Sequence, residues 1–172
     1  LPASTRKERS EAQKLALLAG LSAARREILD AVQSLPPTQR DTPFLGAWSV
    51  KDLLAHLAGW DATNRQAVQD ILAGRYPSFF QYYDSDWQSY NAGLVRQHKI
   101  EPFEALLAAV ESSHRDLIGY LEAIPAGRLL TAKAARPGGR RTLTARSLLA
   151  AEARDERAHA GQVTAFLQTL TP

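Results

Sequence analysis

Apolar residues return every three or four positions in four long stretches of this chain, and Pro, Gly and polar residues separate them. The first stretch runs from Arg6 to about Val32. In it Leu15, Leu18, Leu21, Ala24 or Arg25, Ile28 and Leu29 fall at helical spacing among Lys, Arg and Glu. Pro36 and Pro37 end it, because two prolines cannot continue a helix. The second stretch starts at Trp48-Ser49 and runs to about Ala73, with Gly74 placed to close it. Ser49 can cap that helix, and Asp52 sits three residues on, as in a capping box. Val50, Leu53, Leu54, Leu57 and Trp60 then share one stripe, and His56 points near it. A third helix is predicted from near Pro102, carrying Phe103, Leu106, Val110, His114, Leu117 and Leu121. A fourth is predicted from a cap at Thr142 or Thr144 to about Leu170.

β-branched residues are few and do not alternate over a useful length, so no strand is expected. Four long amphipathic helices predict an all-α fold, a four-helix bundle formed as a single domain over residues 1–172. Between the second and third helices lies an aromatic-rich connection with Tyr76, Phe79, Phe80, Tyr83, Trp87 and Tyr90. So many rings predict a folded lid or a short helix there rather than a solvated linker. Such a segment suits both a satellite core and an aromatic wall over a pocket.

Composition narrows the chemistry. The chain has no Cys, which excludes disulfides, thiolate metal sites and cysteine nucleophiles, so a metal would need imidazole and oxygen ligands. No apolar run is long enough to span a membrane and no secretory signal pattern opens the chain, so a cytoplasmic protein is the expectation. The net charge of +3 does not argue for nucleic acid. A basic stretch with Lys133, Arg136, Arg140, Arg141 and Arg146 reads as a solvated inter-helix loop, with nucleic-acid binding as the lesser alternative.

The fourth helix carries the candidate chemistry. Its broad face is apolar at both ends and polar in the middle, at Glu152, Asp155 or Glu156, and His159. Ionisable residues in the middle of a core-facing stripe are costly unless they serve a site between helices. Asp155 and His159 are four residues apart and so lie on nearly the same face, within reach of one ion. His56 would supply a third ligand, and His114 competes for that role. Two imidazoles and a carboxylate suit Zn, Ni, Fe or Mn and leave positions open for water or substrate. Glu152 or Glu156 would act as base or orient a ligand, and Trp60, Tyr83, Trp87, Tyr90 and Asn91 would line the pocket.

At these residues the chain resembles the DinB/YfiT-like superfamily, whose relatives include mycothiol-dependent maleylpyruvate isomerases and ClbS/DfsB-type proteins. The likeness rests on the Trp48-Ser-x-x-Asp52-x-x-x-His56 opening, the aromatic middle containing Asn91, and Asp155-Glu-Arg-Ala-His159-Ala-Gly-Gln162. It implies an up-down-down-up bundle, a homodimer, and a divalent metal, often nickel or zinc, held by three histidines. Carried over, two of these are His56 and His159, while Asp155 stands where many relatives have His. The function implied is a metal-dependent enzyme that activates water or a low-molecular-weight thiol against a small electrophile, as a hydrolase or a thiol-dependent transferase or isomerase. The alternative is a metal-free ClbS-like protein that opens or sequesters a reactive small molecule.

Overall fold

A computed structural model describes residues 5–139 and 141–170. Seven helices and one small hairpin follow in the order α1 (Arg6–Gln33), α2 (Val50–Leu72), α3 (Phe80–Tyr83), α4 (Trp87–His98), α5 (Phe103–Ala123), α6 (Ala126–Thr131), β1 (Lys133–Ala135), β2 (Thr142–Thr144) and α7 (Ala145–Leu170). The four long helices start where local chemistry sets them. Thr5 and Glu8 form a capping box at α1, and Ser49 and Asp52 form another at α2. Thr144 Oγ1 accepts from the Ser147 amide at 3.0 Å at the head of α7. Past α2 the chain turns at Gly74, whose φ of +74° suits a residue without Cβ.

The core has two apolar clusters. One gathers Ile28 and Val32 of α1, Val50, Leu53, Leu54 and Leu57 of α2, Phe103, Leu106 and Val110 of α5, and Val163 of α7. The other gathers Leu18 and Leu21 of α1, Val68 and Ile71 of α2, Leu117 and Leu121 of α5, and Leu148 and Leu149 of α7. The start of α1 and of α7 therefore lies in the cluster where α2 and α5 end. α1 and α7 run one way along the bundle, and α2 and α5 run the other.

Between the clusters lies a charged layer. Arg25 is 2% exposed and donates to both carboxylate oxygens of Asp61 (2.9 and 3.0 Å) and both of Glu156 (2.6 and 3.1 Å). Its Nη1 also reaches the Val110 carbonyl at 3.4 Å, so one side chain touches all four long helices. Ser113 Oγ donates to Asp61 at 2.6 Å, and His114 Nδ1 lies 3.6 Å from the same carboxylate. Lys14 is buried too, and its Nζ donates to the Glu122 and Ile124 carbonyls at the end of α5.

Three expectations need correcting. Leu15, assigned to the buried stripe of the first helix, is 65% exposed, and the stripe runs through Lys14 and Arg25 instead. Two short strands exist: β1 and β2 pair antiparallel with Ala134 opposite Leu143, and a three-residue strand is too short to show alternation in sequence. The basic stretch before α7 forms this hairpin, where Arg136 pairs with Asp84 of the aromatic connection at 2.7 Å; Arg146 stands on α7, and Arg140 lies outside the described residues.

The aromatic connection is folded. α4 crosses α2 so closely that a Cβ on Gly59 would sit 2.8 Å from Leu94 Cβ. Both atoms are fixed to backbone, so the helices would have to separate. Gly59→Ala is expected to destabilise the protein by about 1–3 kcal/mol in urea unfolding; an unchanged midpoint would mean that α4 is not held against α2.

Candidate metal centre

His56 stands on α2 one turn before Trp60, and Asp155 and His159 stand one turn apart on α7. The fold brings the three together: one ligand atom from each lies within 4.8 Å of the other two. The rings of His56 and His159 are 5.5 Å apart, edge to face, and Asp155 Oδ2 lies 3.5 Å from His159 Nε2. His56 is 4% exposed, whereas the Asp155 side chain is 63% exposed, so the group has an inner wall and a solvent side.

These surroundings set the protonation states. Burial, aided by the charge of His159, pushes His56 down to about 3, so its ring is neutral and its lone pair is free at neutral pH. Burial opposes charge on His159 as well, but hydrogen bonds to Asp155 and Gln162 outweigh it and raise that ring. His159 Nδ1 lies 2.7 Å from Gln162 Oε1, which fixes the imidazole by one nitrogen and leaves Nε2 on the side of Asp155. His56 makes no hydrogen bond to any described residue, and its Nδ1 is buried without a partner. A buried imidazole without a partner loses about 1–3 kcal/mol of hydrogen bonding. A neutral, unpartnered ring facing a second imidazole and a carboxylate is a donor set that suits a divalent ion.

The three residues line a cleft of about 450 Å³. Trp48, Trp60, Tyr83 and Trp87 form its walls, with Trp87 52% exposed at the mouth. Trp48 and Trp60 flank the His56 ring, at 5.0 and 6.1 Å between centroids. The carboxamides of Gln88, Asn91 and Gln162 complete the lining. Of the residues read as pocket lining, Trp60, Tyr83, Trp87 and Asn91 line this cleft. Tyr90 does not: its ring packs tilted against Trp60 at 5.9 Å and its hydroxyl pairs with Thr63. Trp48 and Gln162 were quoted only as motif positions. Their roles follow from the fold, because Trp48 precedes the cap of α2 and Gln162 stands three residues past His159.

Neither proposed acid–base glutamate lines the cleft. Glu156 turns inward to Arg25, which occupies both its oxygens and leaves it no part as a base. His114 joins Asp61 in that same layer instead of competing as a ligand at the cleft. Glu152 lies near the layer, where burial, with the charges of Glu156 and Asp61, pushes its carboxyl up to about 8. An unfolded Glu titrates near ~4.3. Between these values the folded protein holds a proton that the unfolded chain has lost, so stability falls as pH rises through that window. Glu152→Gln is expected to remove this fall and to be more stable than wild type at alkaline pH. Urea unfolding of both proteins across the window is the check, and parallel pH profiles would refute it.

Comparison with known proteins places this geometry. The model of the DinB superfamily matches residues 20–163. Among solved structures, YfiT from Bacillus subtilis, described as a probable metal-dependent hydrolase with an unusual four-helix bundle topology, superposes with a TM-score of 0.66. It is 18% identical, and the alignment covers 99% of this chain and 92% of that chain. The likeness is one of fold. No curated protein matches the sequence.

Proposed function

This chain belongs to the DinB superfamily, and from that premise we propose that its cleft holds a divalent metal ion through His56, Asp155 and His159 and hydrolyses a small electrophilic substrate. One observation carries the reading: three ligand atoms from two helices far apart in sequence converge within 4.8 Å, at the wall of an aromatic cleft. A divalent ion bound there supplies Lewis acidity toward water or a substrate oxygen.

The chain's own residues do the rest. His56, neutral and enclosed by Trp48 and Trp60, offers its lone pair without competition from a proton. Gln162 holds the His159 ring, and Asp155 adds the one carboxylate to the ligand set. The aromatic walls exclude water from one side of a substrate and bind its apolar body. The charged layer behind the cleft keeps α2 and α7 in register, so that residues 56 and 159 meet.

The test is metal analysis of protein purified without an affinity tag, followed by titration with Zn, Ni and Mn and a screen of esters, amides and lactones. About one ion per chain and metal-dependent hydrolysis are expected. Metal-free protein that binds none of these ions would defeat the reading. A second reading has an observation behind it: Asp155 and His159 already face each other at 3.5 Å. In a metal-free ClbS-like protein that pair would itself serve as base and orienter. Turnover unchanged by chelator would favour it. The homodimer and a low-molecular-weight thiol cofactor remain proposals drawn from the resemblance, tested by sedimentation and by thiol-dependent turnover.

A further inference from the structure

Trp60 Nε1 lies 3.1 Å from Asn91 Oδ1. An indole nitrogen only donates, so the Asn91 atom facing it must be the oxygen. The orientation of this carboxamide is therefore fixed by chemistry rather than by choice between two similar atoms. Its Nδ2 has no hydrogen-bond partner among the described residues, and Asn91, 7% exposed, lines the cleft. A held amide thus offers N–H donors at the cleft that His56 and His159 also line.

The rest of the lining says what those donors meet. Among the described residues, no Lys or Arg lines the cleft, the only carboxylate there is Asp155, and flat rings form most of the walls. The charge that His159 can carry is faced by Asp155 at 3.5 Å. Without a bound ion, a substrate body bearing an anion finds no free cation here, whereas a flat apolar body meets the rings.

We infer that the cleft takes an uncharged carbonyl compound with a flat apolar group, and that Asn91 Nδ2 is the donor that binds its carbonyl oxygen, held in place by Trp60. This rests on the hydrolytic reading for its role in turnover, though not for binding itself. In turnover, water adds to the carbonyl carbon and the C–O or C–N bond breaks. The proton of the attacking water passes to the leaving oxygen or nitrogen. Asn91 donates to the carbonyl oxygen while negative charge develops on it.

All three tryptophans of the chain, Trp48, Trp60 and Trp87, line this cleft, so intrinsic fluorescence reports on it directly. The experiment titrates metal-free protein with benzamide, benzoate and toluene. Benzamide is expected to quench wild type and to bind more tightly than benzoate. Asn91→Asp still accepts from Trp60 but donates nothing, and should weaken benzamide by about tenfold or more. The same variant should leave toluene, which has neither a carbonyl nor a charge, at wild-type affinity. Equal loss of both ligands would mean that position 91 acts only through structure, and would overturn the inference. So would an unchanged benzamide affinity, benzoate binding as tight as benzamide, or no quench of wild type by benzamide. Metal uptake measured on the same samples separates the two readings: Asn91→Asp should keep wild-type stoichiometry. A wild type that takes up no metal but binds benzamide through Asn91 would overturn the metal centre alone.

Discussion

His56→Leu is expected to abolish metal binding and, at the same time, to stabilise the metal-free protein. The two effects have opposite signs for one reason. The ring is 4% exposed, neutral, and without a hydrogen-bond partner among the described residues, so in the absence of an ion its buried Nδ1 is an unsatisfied polar atom. Leucine of similar size removes that cost, a gain on the order of 1 kcal/mol. It also removes a ligand, and losing a ligand should exceed the ~10–100-fold that disturbing its supporting hydrogen bonds usually costs. His159→Ala should lose metal equally, without the gain in stability, because that ring is held by Gln162 and Asp155. Equilibrium dialysis against Zn or Ni and thermal unfolding of the apo-proteins give the two readouts. Unchanged metal stoichiometry in both variants would remove the centre from these residues. A less stable apo-His56→Leu would mean that ring packing against Trp48 and Trp60 outweighs the unsatisfied nitrogen. Asp155→His, which places an imidazole where the carboxylate stands, should retain the ion.

Arg25→Met is expected to be the most destabilising single change in the chain, by about 3–5 kcal/mol. Methionine fits the space of the Arg stem, so packing is not the main loss. What remains is two buried carboxylates, Asp61 and Glu156, each stripped of a bidentate partner. At roughly 2–4 °C per kcal/mol for a domain of this size, the thermal midpoint should fall on the order of 10 °C. Replacing Asp61 and Glu156 with apolar residues in the same protein should restore much of the loss, because an apolar layer leaves no charge to desolvate. If the triple variant is as unstable as the single one, the layer matters for packing and not for charge. The network also sets an acid limit. Burial opposes the charge of Asp61, but His114, Arg25 and Ser113 outweigh it and hold its carboxyl below the ordinary range. Its contribution is therefore complete above the unfolded value near ~3.9 and is lost as pH falls through the lower folded one.

Helix positions were legible because they are local. Capping residues at Ser49 and Thr144, paired prolines after α1 and a glycine after α2 act within a few residues, and the structure places the helix ends at them. The meeting of His56 with Asp155 and His159 was legible from motif resemblance, since spacing alone puts only the last two on one face. Arg25 was half-legible: positions 18, 21, 25, 28 and 32 form one stripe, and the arginine stands on it. What no local pattern states is that a cation on α1 finds carboxylates on α2 and α7. Glu156 was misread for the same reason. Beside Asp155 it looks equally available, yet one step along a helix turns a side chain by about 100°. That turn sends Glu156 to the core and Asp155 to the cleft.

By itself the amino-acid order determined where the four long helices begin and end, that no cysteine side chain takes part in any chemistry, and which faces are apolar. Those properties depend on neighbours within a turn or two. Tertiary structure alone decided which polar residue on each face pairs inward and which opens to the cleft. It also set the orientation of Asn91, by bringing Trp60 against it. Those outcomes depend on which helices lie against one another, and distances across a bundle are not encoded at any single position.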